Sequence, residues 1–246
     1  GKGSAGGWFM KLCSSVLAVL PFLAAGAAWG APPASIPGSA GESQRYSINW
    51  PSGLSLGEAE LGGSRSKPDN ASERLSFHFS VDAAIPGFQV LDRFRAESSP
   101  AFCSDEFEKQ IQHGSRKADE KTTFSSDGTA KRETKGGGHT DLSTPSCAKD
   151  ALTYLFFVRK ELSEGRLPQE QTVYFGAPYK VKLDFSGTQQ IPVGDKNVEA
   201  DKLLATIHGE GASIQFEIYF LKDAARTLAM VRVPLSMGTF AMTLEK

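Results

Sequence analysis

Only three cysteines and four histidines occur in 246 residues, which leaves little material for a metal centre or for thiol chemistry. Charge of one sign is also missing. Lys and Arg number 27, Asp and Glu 28, and the net charge is −1, so no bulk field draws the chain to nucleic acid or to anionic membranes. The phosphate loop G-x-x-x-x-G-K-[ST], the zinc helix H-E-x-x-H, the nucleophile elbow G-x-S-x-G and a dinucleotide fingerprint after a strand are all absent. No nucleotide, cofactor or metal is therefore expected, and no catalytic residue is assigned.

One long apolar run is present, Leu12 to Ala28, and it lies near the start behind Lys11. Met10-Lys11-Leu12-Cys13 reads as a translational start, and Ala28-Trp29-Gly30 as a small-x-small cleavage signal ahead of Ala31, which makes 1–30 a signal peptide. The rival reading is an uncleaved membrane anchor, because about 20 apolar residues can span a bilayer; Ser14, Ser15 and Pro21 count against it. Cys13 precedes the apolar core, whereas a lipidated cysteine follows one. A periplasmic or secreted location is expected. The leader holds Lys2 and Lys11 and no acid, so 25 basic and 28 acidic side chains remain beyond it, a net −3. Residues 31–44 are Pro, Ala, Ser and Gly with little to bury, a flexible tether. A single β-rich domain is expected over 45–246.

Beyond the tether the dominant signal is period-two alternation, which sends one set of side chains to a core and the other to water. Leu75, Phe77, Phe79 and Val81 alternate with Ser76, His78 and Ser80, and Ile214, Phe216, Ile218 and Phe220 with Gln215, Glu217 and Tyr219. Val181, Leu183 and Phe185 repeat the pattern, as do Phe240, Met242 and Leu244. Turn residues fall between such runs at Asp127-Gly128, Gly187-Thr188, Gly194-Asp195, Gly209-Glu210-Gly211 and Lys222-Asp223, which makes neighbouring strands antiparallel hairpins. One segment departs from period two. Leu152, Leu155, Phe156, Arg159 and Leu162 recur at steps of three and four, with Thr144-Pro145 as a start and Gly165 as a stop; this predicts a helix of about 18 residues, about 27 Å long. Ala151, Tyr154, Phe157 and Val158 make it apolar on more than one side, so it should lie against a sheet. The fold class expected is mainly β, a single curved antiparallel sheet or half-barrel of about ten strands with one packed helix on its concave side.

The stretch K-D-A-L-T-Y-L-F-F-V-R-K-E-L, Lys149 to Leu162, followed by G-R-L-P and by T-V-Y-F-G at Thr172 to Gly176, resembles the bacterial envelope family called domain of unknown function 3108. R-V-P-L-S-M-G-T-F-A-M-T-L, Arg232 to Leu244, is similar to that family's closing strands. The resemblance covers about Tyr46 to Lys246. It implies an exported bacterial protein with a strongly curved antiparallel sheet and a helix packed on it, and it carries over no catalytic residues.

Cys103 and Cys147 form an even pair in an exported chain, and a disulfide is the economical reading. Metal binding completed by His113 or His139 is the rival, but there is no C-x-x-C and no histidine at ligand spacing. Gly136-Gly137-Gly138-His139-Thr140-Asp141-Leu142-Ser143 brings a histidine, a carboxylate and a hydroxyl close together. A triad needs these groups held rigidly, and three glycines supply the opposite. His78, His113 and His208 read as surface or turn residues. Arg116, Lys117, Lys121, Lys131, Arg132 and Lys135 are interleaved with acids and read as a solvated hairpin face.

Three functions stay open. The first is a non-catalytic envelope binding module for a lipid, acyl chain or glycan, with Leu152, Leu155, Phe156, Phe216 and Phe220 lining the ligand site. The second is an assembly or scaffold protein that offers an edge strand, or the Lys109 to Gly138 excursion, to an envelope protein partner. The third is a hydrolase using His139 and Asp141.

Overall fold

Alternating residues become strands wherever they can share a face, and here the faces line up across nearly the whole chain. The structure, a computed structural model, describes residues 41–85, 87–236 and 238–246. The expected leader and most of the tether fall outside these residues. In chain order the elements are β1 (Glu42–Asn49), β2 (Ser55–Ser66), β3 (Arg74–Ile85), β4 (Phe88–Ser98), β5 (Ser104–His113), β6 (Arg116–Phe124), β7 (Thr129–Thr134), β8 (Gly138–Ser143), β9 (Lys149–Asp150), the helix α1 (Ala151–Ser163), β10 (Gln171–Phe175), β11 (Ala177–Val193), β12 (Lys196–Gly209), β13 (Ala212–Leu221), β14 (Leu228–Leu235) and β15 (Gly238–Leu244). β1 begins at Glu42, so the last residues assigned to the tether already pair with β2.

All the strands belong to one sheet, in the order β8-β7-β6-β5-β4-β3-β2-β1-β15-β14-β13-β12-β11-β10-β9. Two meanders run outward from the pair formed by β1 and β15, and every pairing is antiparallel except β9 with β10. The sheet has 15 strands and not about ten. The difference lies mainly in β5 to β8, whose sequences carry Lys, Glu and Thr in place of an apolar alternation. Their hairpins are held by cross-strand charges such as Lys121 with Glu106 at 2.6 Å, and such pairs stabilise a sheet without leaving a period-two hydrophobic trace.

The sheet rolls until its β9 edge meets β5, because its interior rows are apolar and must be covered. Leu61, Phe79 and Phe94 are consecutive register partners in one such row, each at most 1% exposed. The edge near β9 comes to rest on β5. There the amide of Ser104 donates to the carbonyl of Ala148 at 2.9 Å, and Cys103 is bonded to Cys147. Strands β6 to β8 extend past this seam over β10: Phe124 meets Tyr174 edge-on, and the Tyr174 hydroxyl donates to the carbonyl of Ser143 at 3.3 Å.

The helix connects the parallel pair β9 and β10 and lies inside the roll. It is 13 residues long and starts at Ala151, well after Thr144-Pro145. The intervening residues serve other bonds, since Cys147 is held by the disulfide and Lys149-Asp150 pair with β10. Asp150 is the N-cap: its carboxylate accepts from the amide of Thr153 at 3.0 Å, which satisfies one of the first-turn amides. The stop at Gly165 is as expected. With φ at +75°, Gly165 donates to Leu162 and Arg166 to Glu161, a Schellman ending that needs a left-handed residue.

Two expectations about side chains change. Phe185 is 61% exposed although it still pairs with buried Leu203, and the pairing of β11 with β12 slips just after it, between Phe185 and Thr188. Gly187-Thr188 is thus a bulge inside one long strand and not a turn. No helix among the described residues is long and apolar enough to cross a membrane.

Candidate functional site: a polar groove outside and a charged seam inside

The five residues expected to line a ligand site, Leu152, Leu155, Phe156, Phe216 and Phe220, all belong to one buried cluster and are at most 3% exposed. Helix and sheet touch directly there. The Phe156 ring stacks on Phe77 at 4.0 Å, and a Cβ added to Gly63 would come within 3.0 Å of both rings. The polar side of the helix is also occupied. Arg159, 5% exposed, bonds Glu42 at 2.5 Å and the carbonyl of Ala225 at 3.0 Å. An apolar ligand at this place would have to lift the helix off the sheet.

The outer face of β2 to β5 is different. The same register that sends Phe77, Phe79 and Phe94 inward sends their neighbours outward. Two outward rows are Glu60, Ser80, Arg93, Gln110 and Gly62, His78, Arg95, Glu108. These rows, Gly62 apart, line a groove of about 690 Å³. His78 lies flat over Gly62, where an added Cβ would sit 2.3 Å from its ring, and its Nε2 is 3.5 Å from Glu60. A bond from the Ser43 hydroxyl, together with His78, holds the Glu60 carboxyl below the usual glutamate range against a weaker opposing effect of burial.

Inside the roll, the row that begins Leu61, Phe79, Phe94 continues as Lys109, Glu120 and Thr134. Lys109 meets Glu120 at 2.7 Å and Arg132 meets the same carboxylate at 2.5 Å. The ammonium also lies 4.6 Å from the centre of the Phe175 ring. Burial pulls Lys109 below the ordinary lysine range, with Glu120 opposing it. For Glu120 burial pushes upward, but Lys109 and Arg132 outweigh it and the carboxyl sits low. One row further along, Asp92, fully buried, lies 3.1 Å from Nε2 of His113.

His113 is therefore neither a surface nor a free turn residue, because Asp92 holds it in the interior. Arg132 likewise leaves the solvated hairpin face and turns to Glu120, while Lys131 and Lys135 stay outside on Glu133 and Asp119. These inward charges were readable in principle. Asp92 falls among Val90, Phe94 and Ala96, and Lys109 between Phe107 and Ile111, at positions where alternation calls for an apolar side chain. His139 and Asp141 are exposed on β8, opposite Glu133 and Lys131. Cys103 and Cys147 are joined as expected, with sulfurs 2.03 Å apart. Among the described residues no three His, Cys, Asp or Glu side chains cluster as metal ligands.

The family model for "Protein of unknown function (DUF3108)" matches residues 45–245. The chain belongs to this family. The match takes in the helix stretch and the closing strands on which the resemblance was drawn. The fold of this DUF3108 protein is similar to a β-barrel-like protein of another domain of unknown function, DUF1849, from Brucella abortus: TM-score 0.55 at 9% identity, covering 83% of this chain and 95% of that one. A candidate exported protein with a YmcC-like fold from Bacteroides fragilis aligns over 83% of this chain and 93% of its own, at 7% identity and a TM-score of 0.36. No curated protein matches.

Proposed function

We propose that this DUF3108 protein is an exported, non-catalytic binding module of the bacterial envelope, and that its ligand is a glycan held in the outer groove of β2 to β5. The observation that carries this reading is the chemistry of the groove. Its volume is within the range of ligand sites, about 300–1,000 Å³, and its lining holds carboxylates at Glu60, Glu97 and Glu108, guanidinium groups at Arg93 and Arg95, and Gln110 and His78. Acceptors and donors alternate at near-neutral total charge. Sugar hydroxyls donate and accept at once, so a neutral saccharide can satisfy such a surface where a polyanion would meet three carboxylates. The phenylalanines beneath the groove are turned to the core and at most 2% exposed, so they offer an acyl chain nothing to cover. Export rests on the leader read in the sequence.

The test is saturation-transfer NMR with neutral bacterial-envelope oligosaccharides, comparing the native chain with Arg95→Ala/Glu108→Gln. Transfer that weakens about tenfold or more in the double variant is the expected result. No transfer from any saccharide, or transfer indifferent to the substitutions, would overturn the reading. A second reading has one specific observation behind it: β8 ends the sheet and all its residues except the half-buried Leu142 are exposed. An open edge of this kind can accept a strand from an envelope protein.

A further inference from the structure

Lys149 is 7% exposed, and among the described residues no carboxylate lies within ion-pair distance of its ammonium. Asp150 and Glu161 act on it only from beyond that distance, and a buried ammonium with no anion in contact is costly. Its contacts are the carbonyl of Cys147 at 3.2 Å, the Cys147 sulfur at 3.5 Å and the Phe157 ring, whose centre lies 4.6 Å away. The cation is thus held beside one sulfur of the Cys103–Cys147 bridge. Both sulfurs lie near the Ala101 carbonyl, Cys103 at 4.0 Å and Cys147 at 3.9 Å, but among the described residues no ammonium or guanidinium touches the Cys103 sulfur. Cys147 is exposed and Cys103 half-buried, so solvent reaches the bridge at both residues, and the ammonium lies beside Cys147.

We propose that Cys103–Cys147 is a thiol-exchange site in which Cys147 leaves as a thiolate paired with Lys149 and Cys103 carries the incoming thiol. The step balances without a further reagent. An external thiolate attacks the Cys103 sulfur, a new S–S bond forms there, the Cys103–Cys147 bond breaks, and its electron pair goes to the Cys147 sulfur. A second thiol attacking the mixed disulfide frees Cys103 and departs as the oxidised dimer of the reagent. The direction follows from the leaving group, because the sulfur whose thiolate is more stable leaves faster. Burial pulls the Lys149 ammonium below the ordinary lysine range, so it gains from a new anion at 3.5 Å. The chemical class of partner is a thiol, either a small one or the dithiol of an exchange enzyme. The consequence in the fold is local: exchange unties β5 from β9 at the seam and leaves the Ser104 and Asp150 bonds beside it.

An opposite charge at this range lowers an acid's pKa by about 1–3 units. With a leaving-group sensitivity on the order of the 0.4–0.5 seen for thiol nucleophiles, one direction of cleavage should be favoured about threefold to thirtyfold. The experiment treats the oxidised full chain with glutathione at pH 7, traps free thiols with excess N-ethylmaleimide before acidification and maps the single-adduct species by peptide mass spectrometry. Glutathione on Cys103 with maleimide-capped Cys147 should exceed the reverse isomer at least about threefold. Lys149→Gln should bring the ratio toward one, and Lys149→Arg should keep it. An equal or reversed ratio in the native chain overturns the proposal, and that measurement stands even where Lys149→Gln fails to fold. A ratio unchanged in a folded Lys149→Gln chain overturns the role of the ammonium.

Discussion

The carboxyl of Asp150 sits fully buried where the β9 edge of the sheet meets β5. It accepts from the Ser104 hydroxyl at 2.5 Å, from the Thr153 hydroxyl at 2.6 Å and from the Thr153 amide at 3.0 Å. Three such bonds favour the anion, but removal from water outweighs them and the carboxyl is pushed up from 3.8 to about 6. A folded-state value above the unfolded one means that the native protein prefers the neutral acid. The contribution to stability is therefore complete below the unfolded value of 3.8 and is lost as pH rises through about 6. The gap of about 2.2 units corresponds to about 3 kcal/mol at 1.36 kcal/mol per unit. Asp150→Asn keeps an acceptor for the Thr153 amide and presents an NH₂ to two hydroxyls that can turn to accept it. Urea unfolding of both proteins at pH 4, 6 and 8, with the disulfide intact, should show the substituted chain gaining about 3 kcal/mol on the native one between the extremes. A difference that stays flat, or that moves against the asparagine at high pH, would show that the hydroxyls and amide hold the anion more strongly than burial opposes it.

Leu155→Ala, at a side chain 1% exposed between helix and sheet, should cost about 2–5 kcal/mol on chemical denaturation, and a loss below about half a kcal/mol would refute the buried packing of the helix. Gly63→Ala should destabilise by about 1–3 kcal/mol, because the added methyl would lie 3.0 Å from the Phe156 and Phe77 rings; an unchanged melting temperature would place the helix farther from β2. Glu120→Gln leaves Lys109 and Arg132 facing each other with no anion, at a cost of about 3 kcal/mol near neutral pH, more than Lys109→Met, which leaves an ion pair behind. Because the Glu120 carboxyl is held below 4.5, its contribution is present above the unfolded value and is lost as pH falls through the lowered one, so the penalty should shrink in acid. Reduction of the disulfide, which closes 44 residues, should lower stability by about 4 kcal/mol in the chain-entropy view; unfolding curves that coincide with and without reductant would contradict it.

Local chemistry made several parts of this protein legible in advance. Period-two alternation marked β3 and β13, because each strand samples only two environments and the side chains declare which face is dry. The three-and-four spacing marked α1, Gly165 marked its end because only a residue tolerant of positive φ closes that turn, and an even cysteine pair marked the bridge. The start of α1 was not legible, since Asp150 caps the helix only where Ser104 arrives from a strand far away in sequence to share its carboxyl. The hairpin of β6 and β7 was legible only as a charged face, and its place in the sheet was hidden for a related reason: charge pairs such as Lys121 with Glu106 exist only once two strands are in register. The rolling of the sheet decided the rest. It set the helix directly against the sheet, drew His113 to Asp92 and Arg132 to Glu120, and set His78, Arg95 and Glu108 from three strands side by side on the outer face. Alternation tells a strand which of its faces is wet. Which residues of other strands share that face depends on register and curvature, and those are settled only by the long-range packing of the whole sheet.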